Sequence, residues 1–294
     1  MVYCIALLDF ALALASRTLR PIPPSPHPPI PPMHPSPWQW ANDNGHPFLT
    51  CDLLTPWPHG FFTRSFWPQG PEDLTPVLDP QAAVQRVKQV HGNRVLTPGA
   101  MAQTPPNATY PEADALISDG PNQALWVCSA DCNPVLIGDC VTGHTAAIHA
   151  GWRGTALKIV PQAVTKMQAQ GSRIQDLRVA IGPAIAGEVY QVATTVAAEV
   201  GRTITSVEQL SDDALVETLQ TLEASPILPD EESGKARLDV RQVNVWQLTQ
   251  LGLSPEQIAV APHCTFQEPD RFFSYRRTGE KQVQWSGIVS RRTA

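Results

Sequence analysis

The sequence predicts a single mixed α/β domain, and three observations carry that reading. Three apolar runs follow one another closely between residues 124 and 149, helical patterns concentrate in the second half of the chain, and neither an internal repeat nor a linker after residue 45 is visible. Phe61-Phe62-Thr63-Arg64 reads as the end of a strand, and residues 84–90 alternate with period two, as a half-buried strand does. The runs 124–128, 134–137 and 145–149 are separated only by short polar or glycine-bearing segments and are expected to form the central sheet. Thr155 is the expected N-cap of a helix reaching about Gln170, with Pro161 either kinking it or marking its true start. Residues 177–181 return as a buried strand, and residues 193–224 read as helical, ahead of an acidic insertion at Asp230-Glu231-Glu232. Asp239 caps a further helix, on which Val240, Val243, Trp246 and Leu251 share a face until Gly252 stops it. Residues 258–261 and 283–290 supply late strands.

Composition bounds the function. The chain has 294 residues, 43% hydrophobic and 16% charged, which is enough for one large core and excludes disorder of the whole. A net charge of -6 provides no general attraction to phosphate backbones or anionic lipid, so no nucleic-acid or membrane partner is expected, and no obligate protein partner is evident. Ten of the 30 prolines lie between Pro21 and Pro37, and the apolar run 1–15 is too short to span a bilayer and carries Asp9. Residues 1–40 are therefore expected to be a disordered proline-rich leader, with Met33 as an alternative start, and residues 41–294 one domain. Six cysteines, three of them within residues 128–140, fit a reduced, cytoplasmic compartment better than a disulfide framework.

Three segments place a metal-competent side chain where a strand meets a glycine or a polar turn: Gln89-Val90-His91-Gly92, Ala130-Asp131-Cys132-Asn133-Pro134 and His149-Ala150-Gly151-Trp152-Arg153-Gly154. Two imidazoles and one thiolate leave the fourth position of a zinc ion open, which is the catalytic rather than the structural pattern. The spacings of 41 and 17 residues match no local zinc signature, and a strand-end cysteine also reads as a small buried hydrophobe. His144 reads as a turn residue, and His27 and His34 fall in the leader. Gly151 to Thr155 opens a helix whose amides, with Arg153, suit an anion; a tight turn with an exposed arginine is the plainer alternative. Phe272 to Gly279 sets Arg276 and Arg277 beside aromatic rings, suiting a phosphate or a purine, or simple solvation.

Together with Asp114-Ala115-Leu116-Ile117, Ile181-Gly182-Pro183 and Phe273-Ser274-Tyr275-Arg276-Arg277, these motifs resemble, in order from about His59 to Val289, the YfiH-type family. That family has been named polyphenol oxidase or multicopper laccase, zinc-dependent purine nucleoside phosphorylase, and peptidoglycan editing factor. The resemblance implies a four-layer α/β/β/α sandwich of mixed sheets. It also implies zinc on His91, Cys132 and His149, with Cys132 a ligand before it is a nucleophile, and Arg64 as a catalytic contact to substrate or phosphate. Arg153, Arg276 and Arg277 are the further substrate-binding candidates. Two departures stand out: Ser65-Phe66-Trp67-Pro68 replaces a Gly-Gly stretch, and Ala184 stands where a cysteine is frequent.

The implied activity is phosphorolysis of adenosine, inosine, guanosine and S-methyl-5'-thioadenosine, accompanied by adenosine deamination. A peptidoglycan-precursor amidohydrolase would use similar zinc chemistry and is the alternative. A copper-dependent laccase ranks lower, since the chain has eight histidines and no His-x-His pair to supply several coppers.

Overall fold

The computed structural model of the protein describes residues 36–103, 110–206, 209–222 and 224–291. The expectations for the leader, including His27, Met33 and His34, lie outside these residues. Ser36 to Ala294 forms one compact unit.

Strand residues gather into two six-stranded sheets and a small third one. The first runs in space β1 (Trp38–Asp43), β2 (His46–Cys51), β3 (His59–Phe62), β15 (Gln284–Val289), β7 (Gln123–Ser129), β4 (Ala83–Gln85). The second runs β14 (Ile258–Val260), β10 (Leu177–Ile181), β8 (Asn133–Asp139), β9 (Thr145–Ala150), β6 (Ala115–Ile117), β5 (Val95–Leu96). Both are mixed, because β4 pairs parallel with β7, β5 with β6 and β10 with β14, while the other pairs are antiparallel. The third sheet is β11 (Gln191–Ala193), β13 (Lys235–Leu238), β12 (Ile227–Leu228).

Period-two burial explains the stacking. Along β8, Leu136 joins Phe61, Leu125, Val127 and Ile288 in a core between the two large sheets, whereas Val135 and Ile137 face the helical side. Burying one such Val, Leu, Ile or Phe side chain contributes about 1.5–3 kcal/mol, so both faces of each sheet must be covered. The helix α1 (Pro71–Leu78) covers the first sheet through Leu74 against Phe48, Phe62 and Trp126. After α2 (Pro98–Met101) and α3 (Trp152–Ala156), the helix α4 (Ile159–Ala169) covers the second sheet through Ile159, Ala163 and Met167. Helices α5 (Thr194–Gly201) and α6 (Asp212–Gln220) pack with the third sheet and with α7 (Val240–Gln250), and α8 (Tyr275–Thr278) is one short turn near the C-terminus. The result is the α/β/β/α sandwich anticipated from the motifs. No helix among the described residues is long and apolar enough to cross a membrane, and Cys51, Cys128, Cys132, Cys140 and Cys264 are free thiols.

Several expectations are corrected. The three apolar runs do not form one sheet: β7 belongs to the first sheet, β8 and β9 to the second, and the chain crosses between sheets at residues 130–132. The helix expected from Thr155 is two helices, broken at Lys158, whose φ of 57° is left-handed, and Pro161 sits in the first turn of α4, where its missing N–H costs nothing. The strand expected over residues 84–90 ends its ladder at Gln85. Trp38, placed in the leader by composition, is 8% exposed in β1, with its ring edge-on to Phe61 at 5.5 Å.

Candidate metal centre

Beyond β4 the chain keeps its place through a side chain. Gln89 Nε2 donates to the Cys128 carbonyl and Cys128 N–H donates to Gln89 Oε1, both at 2.8 Å, so one amide stands in for a rung of the ladder. Two residues on, His91 adopts φ 59°, an uncommon left-handed turn for a non-glycine residue. The turn aims three consecutive amides at Asp114: Val90 N–H at 3.2 Å, His91 N–H at 2.9 Å and Gly92 N–H at 2.7 Å. Asp114 is fully buried just before β6 and also accepts from His149 Nδ1 at 2.9 Å. Burial works to raise its carboxyl, but these bonds outweigh burial and hold it below the usual carboxylate range. One carboxylate therefore fixes the loop bearing His91 and the tautomer of His149, leaving His149 Nε2 for a ligand.

Cys132 lies on the crossover from β7 to β8, after Asp131, whose φ is 93°. Such a backbone costs about 1–3 kcal/mol and persists only where its surroundings over-determine it. Here the Asp131 carboxylate accepts from Thr265 Oγ1 and Arg276 N–H, both at 2.7 Å, and its carbonyl accepts from Ile185 N–H at 3.0 Å. His149 follows Ala147 on the inter-sheet face of β9, and Gly151 then caps α3. A Cβ on Gly151 would stand 2.8 Å from Cys132 Sγ and 3.4 Å from His91 Cδ2, so a residue without a side chain is required beside the donors.

The donor atoms of His91, Cys132 and His149 all lie within 4.8 Å of one another, the arrangement expected from the motifs. The rings of His91 and His149 are edge to face at 4.8 Å. His149 is buried, Cys132 half-buried and His91 exposed, so the cluster opens on the His91 side. Burial would raise the Cys132 thiol, but the two imidazoles outweigh it and bring it down to about 6. Burial would lower His149, but the Cys132 thiolate and Asp114 raise it to about 9. Desolvation, without such neighbours to offset it, pushes the half-buried Cys128 up to about 12 and the buried Cys51 up to about 11. Two imidazoles and a thiolate already favoured as the anion form a donor set that fits one zinc-like ion.

The arginines divide. Arg153 lies 4.4 Å over the Trp152 ring, and its guanidinium has no hydrogen-bond partner among the described residues. Arg276 lies 4.7 Å over the Tyr190 ring and donates to the Gln191 carbonyl at 2.8 Å. Arg64 is not at a strand end; it opens a 3-10 turn after β3, donates to the Pro269 carbonyl at 2.6 Å and lies 4.7 Å over Phe273. The Arg277 guanidinium donates to the carbonyls of Thr265, Phe266 and Phe272 and so staples a loop. Sequence reasoning gave no role to Asp114, Gln89 or Asp131. The available signal was a lone acid heading the apolar run Ala115-Leu116-Ile117.

Comparison with known proteins shows the family and the fold. Residues 74–291 match the family model described as multi-copper polyphenol oxidoreductase laccase. A Synechocystis protein named purine nucleoside phosphorylase is 58% identical over 256 residues, covering 86% of this chain and 97% of that protein. A Deinococcus radiodurans protein of the same name is 33% identical over 204 residues, covering 69% and 68%. Among solved structures, YlmD from Geobacillus stearothermophilus aligns with a TM-score of 0.69 at 24% identity, covering 88% of this chain and 100% of that one. The hypothetical protein YfiH from Bacillus licheniformis aligns with a TM-score of 0.68 at 24% identity, covering 86% and 99%.

Proposed function

The chain belongs to the multi-copper polyphenol oxidoreductase laccase family, and from that premise we propose that it is a zinc-dependent purine nucleoside phosphorylase. The observation that carries the proposal is the His91, Cys132 and His149 cluster, in a chain 58% identical to a protein named for that activity. Among the described residues this is the one group of three such side chains poised to hold an ion, which favours a single-metal reading over the several coppers of the family's description.

In phosphorolysis a phosphate oxygen bonds to the ribose anomeric carbon as the glycosidic bond breaks, and the base leaves with that electron pair and gains a proton. When bound at the three side chains, zinc supplies Lewis acidity. Arg153, with its guanidinium uncommitted, and Arg64, with one N–H used, suit the task of orienting phosphate through paired charge-assisted bonds. Arg276 suits contact with substrate beside Tyr190. Asp114 holds His149 in the tautomer that offers Nε2, and Cys132 serves as a thiolate ligand. The reading extends to adenosine, inosine, guanosine and S-methyl-5'-thioadenosine as substrates, to adenosine deamination, and to action in the cytoplasm.

Metal analysis of the purified protein, then chromatography of adenosine incubated with and without phosphate, tests it. Adenine and ribose 1-phosphate appearing only with phosphate is the expected result, and inosine would report the deaminase reaction. Neither product from zinc-loaded protein overturns the proposal and leaves the amidohydrolase reading.

A further inference from the structure

Asn133 opens β8 opposite Ala150 of β9 and shares the helical face with Val135 and Ile137. It is 1% exposed, and its Nδ2 finds no hydrogen-bond partner among the described residues. A buried amide donor left unpaired is costly, so an uncommitted one calls for a ligand or a purpose. Asn133 lines a cavity of about 30 Å³ together with Cys132, Trp152, Ile185, Tyr190 and Val240. One water needs roughly 10–15 Å³ of such space, so the cavity admits the rim of a planar ring but not a sugar.

The walls select the occupant. Its lining includes Asp131 and no cationic side chain, which disfavours phosphate. Trp152, Ile185, Tyr190 and Val240 offer apolar and aromatic surface, which suits a flat heteroaromatic edge. Cys132 in the same wall makes the cavity continuous with the metal centre.

We infer that Asn133 is a specificity-determining residue that reads the six-position edge of the purine base, an inference resting on the phosphorolysis reading. A carboxamide pairs with a 6-amino purine through Oδ1 to the amino group and Nδ2 to N7, and with a 6-oxo purine through Nδ2 alone. Asn133→Asp keeps the size and removes the donor: the 6-amino contact survives, while a 6-oxo oxygen meets a carboxylate.

The test measures binding of the free bases adenine and hypoxanthine to the zinc-loaded protein by calorimetry, alongside turnover of the nucleosides with phosphate. The expected result for Asn133→Asp is an adenine preference raised by about 30-fold over wild type, while Asn133→Leu weakens both bases by similar factors. Metal content and melting temperature identify a variant that has not folded. In that event, at least tenfold weaker binding of 7-deazaadenine than adenine to the wild-type protein supports the inference, and equal binding overturns it. An unmoved base preference in folded Asn133→Asp, with wild-type turnover intact, overturns the inference alone. Absent wild-type turnover overturns the phosphorolysis reading and the inference with it.

Discussion

Asp114 organises the centre without being one of its ligands, since three backbone amides and one imidazole all converge on its carboxylate. Asp114→Asn would turn an amide donor toward donors already present and loosen both histidines. Metal affinity is expected to fall about 10- to 100-fold in a chelator competition titration, the usual cost of losing such a support. Cys132 carries a pH signature in the metal-free protein. Its lowered thiol ionises above about 6 and the raised His149 stays protonated below about 9, so a thiolate–imidazolium pair occupies that window. The alkylation rate that disappears in Cys132→Ser should rise through about pH 6 and be suppressed by zinc; a rise beginning only above pH 8 would contradict the pairing. The three candidate donors were legible because imidazole and thiol are scarce and stood beside glycines or polar turns. Asp114 and Asn133 were not, because a buried polar side chain shows its purpose only through what surrounds it.

Capping chemistry made some elements legible from local sequence. Asp239 accepts from Arg241 N–H at 2.9 Å and Gln242 N–H at 3.2 Å at the start of α7, and Gly252 ends the following turn at φ 99°. Asp239→Ala removes this cap and strands the buried Arg241 guanidinium, which pairs with it at 2.9 Å. The expected cost is about 2 kcal/mol, or roughly 4–8 °C in a thermal melt. Sheet membership was not legible in the same way. Period-two alternation places a residue on a face but does not say which sheet owns the strand, and the segment bearing Asp131 at φ 93° carries the chain from one sheet to the other. The ladder beyond Gln85 was misjudged for a related reason, because Gln89 supplies by side chain what the backbone omits.

For the molecule as a whole, the domain edge lies inside the stretch that composition assigned to the leader. Trp38 packs into the inter-sheet core, and Trp40 meets His263 edge-on at 5.1 Å with Arg271 over its face at 4.8 Å. Deleting residues 1–32 is expected to leave the melting temperature within about 1 °C of the intact chain, since proline density such as that from Pro21 onward disfavours regular elements. Deleting through Trp40 should cost about 3–5 kcal/mol, the range for losing a buried tryptophan, and lower the melt by several degrees. The position of the metal centre also bears on how long the protein survives. His91 sits between β4 and β5, and Cys132 between β7 and β8, so two of the three donors lie where the chain passes from the first sheet to the second. An ion held there fastens both crossings, and a ligand bound only by the native state at a thousand times its dissociation constant adds about 4 kcal/mol to stability. On the zinc reading proposed above, a cell short of that metal would lose the protein to its proteases faster, and supply of the ion would set the protein's abundance as well as its activity.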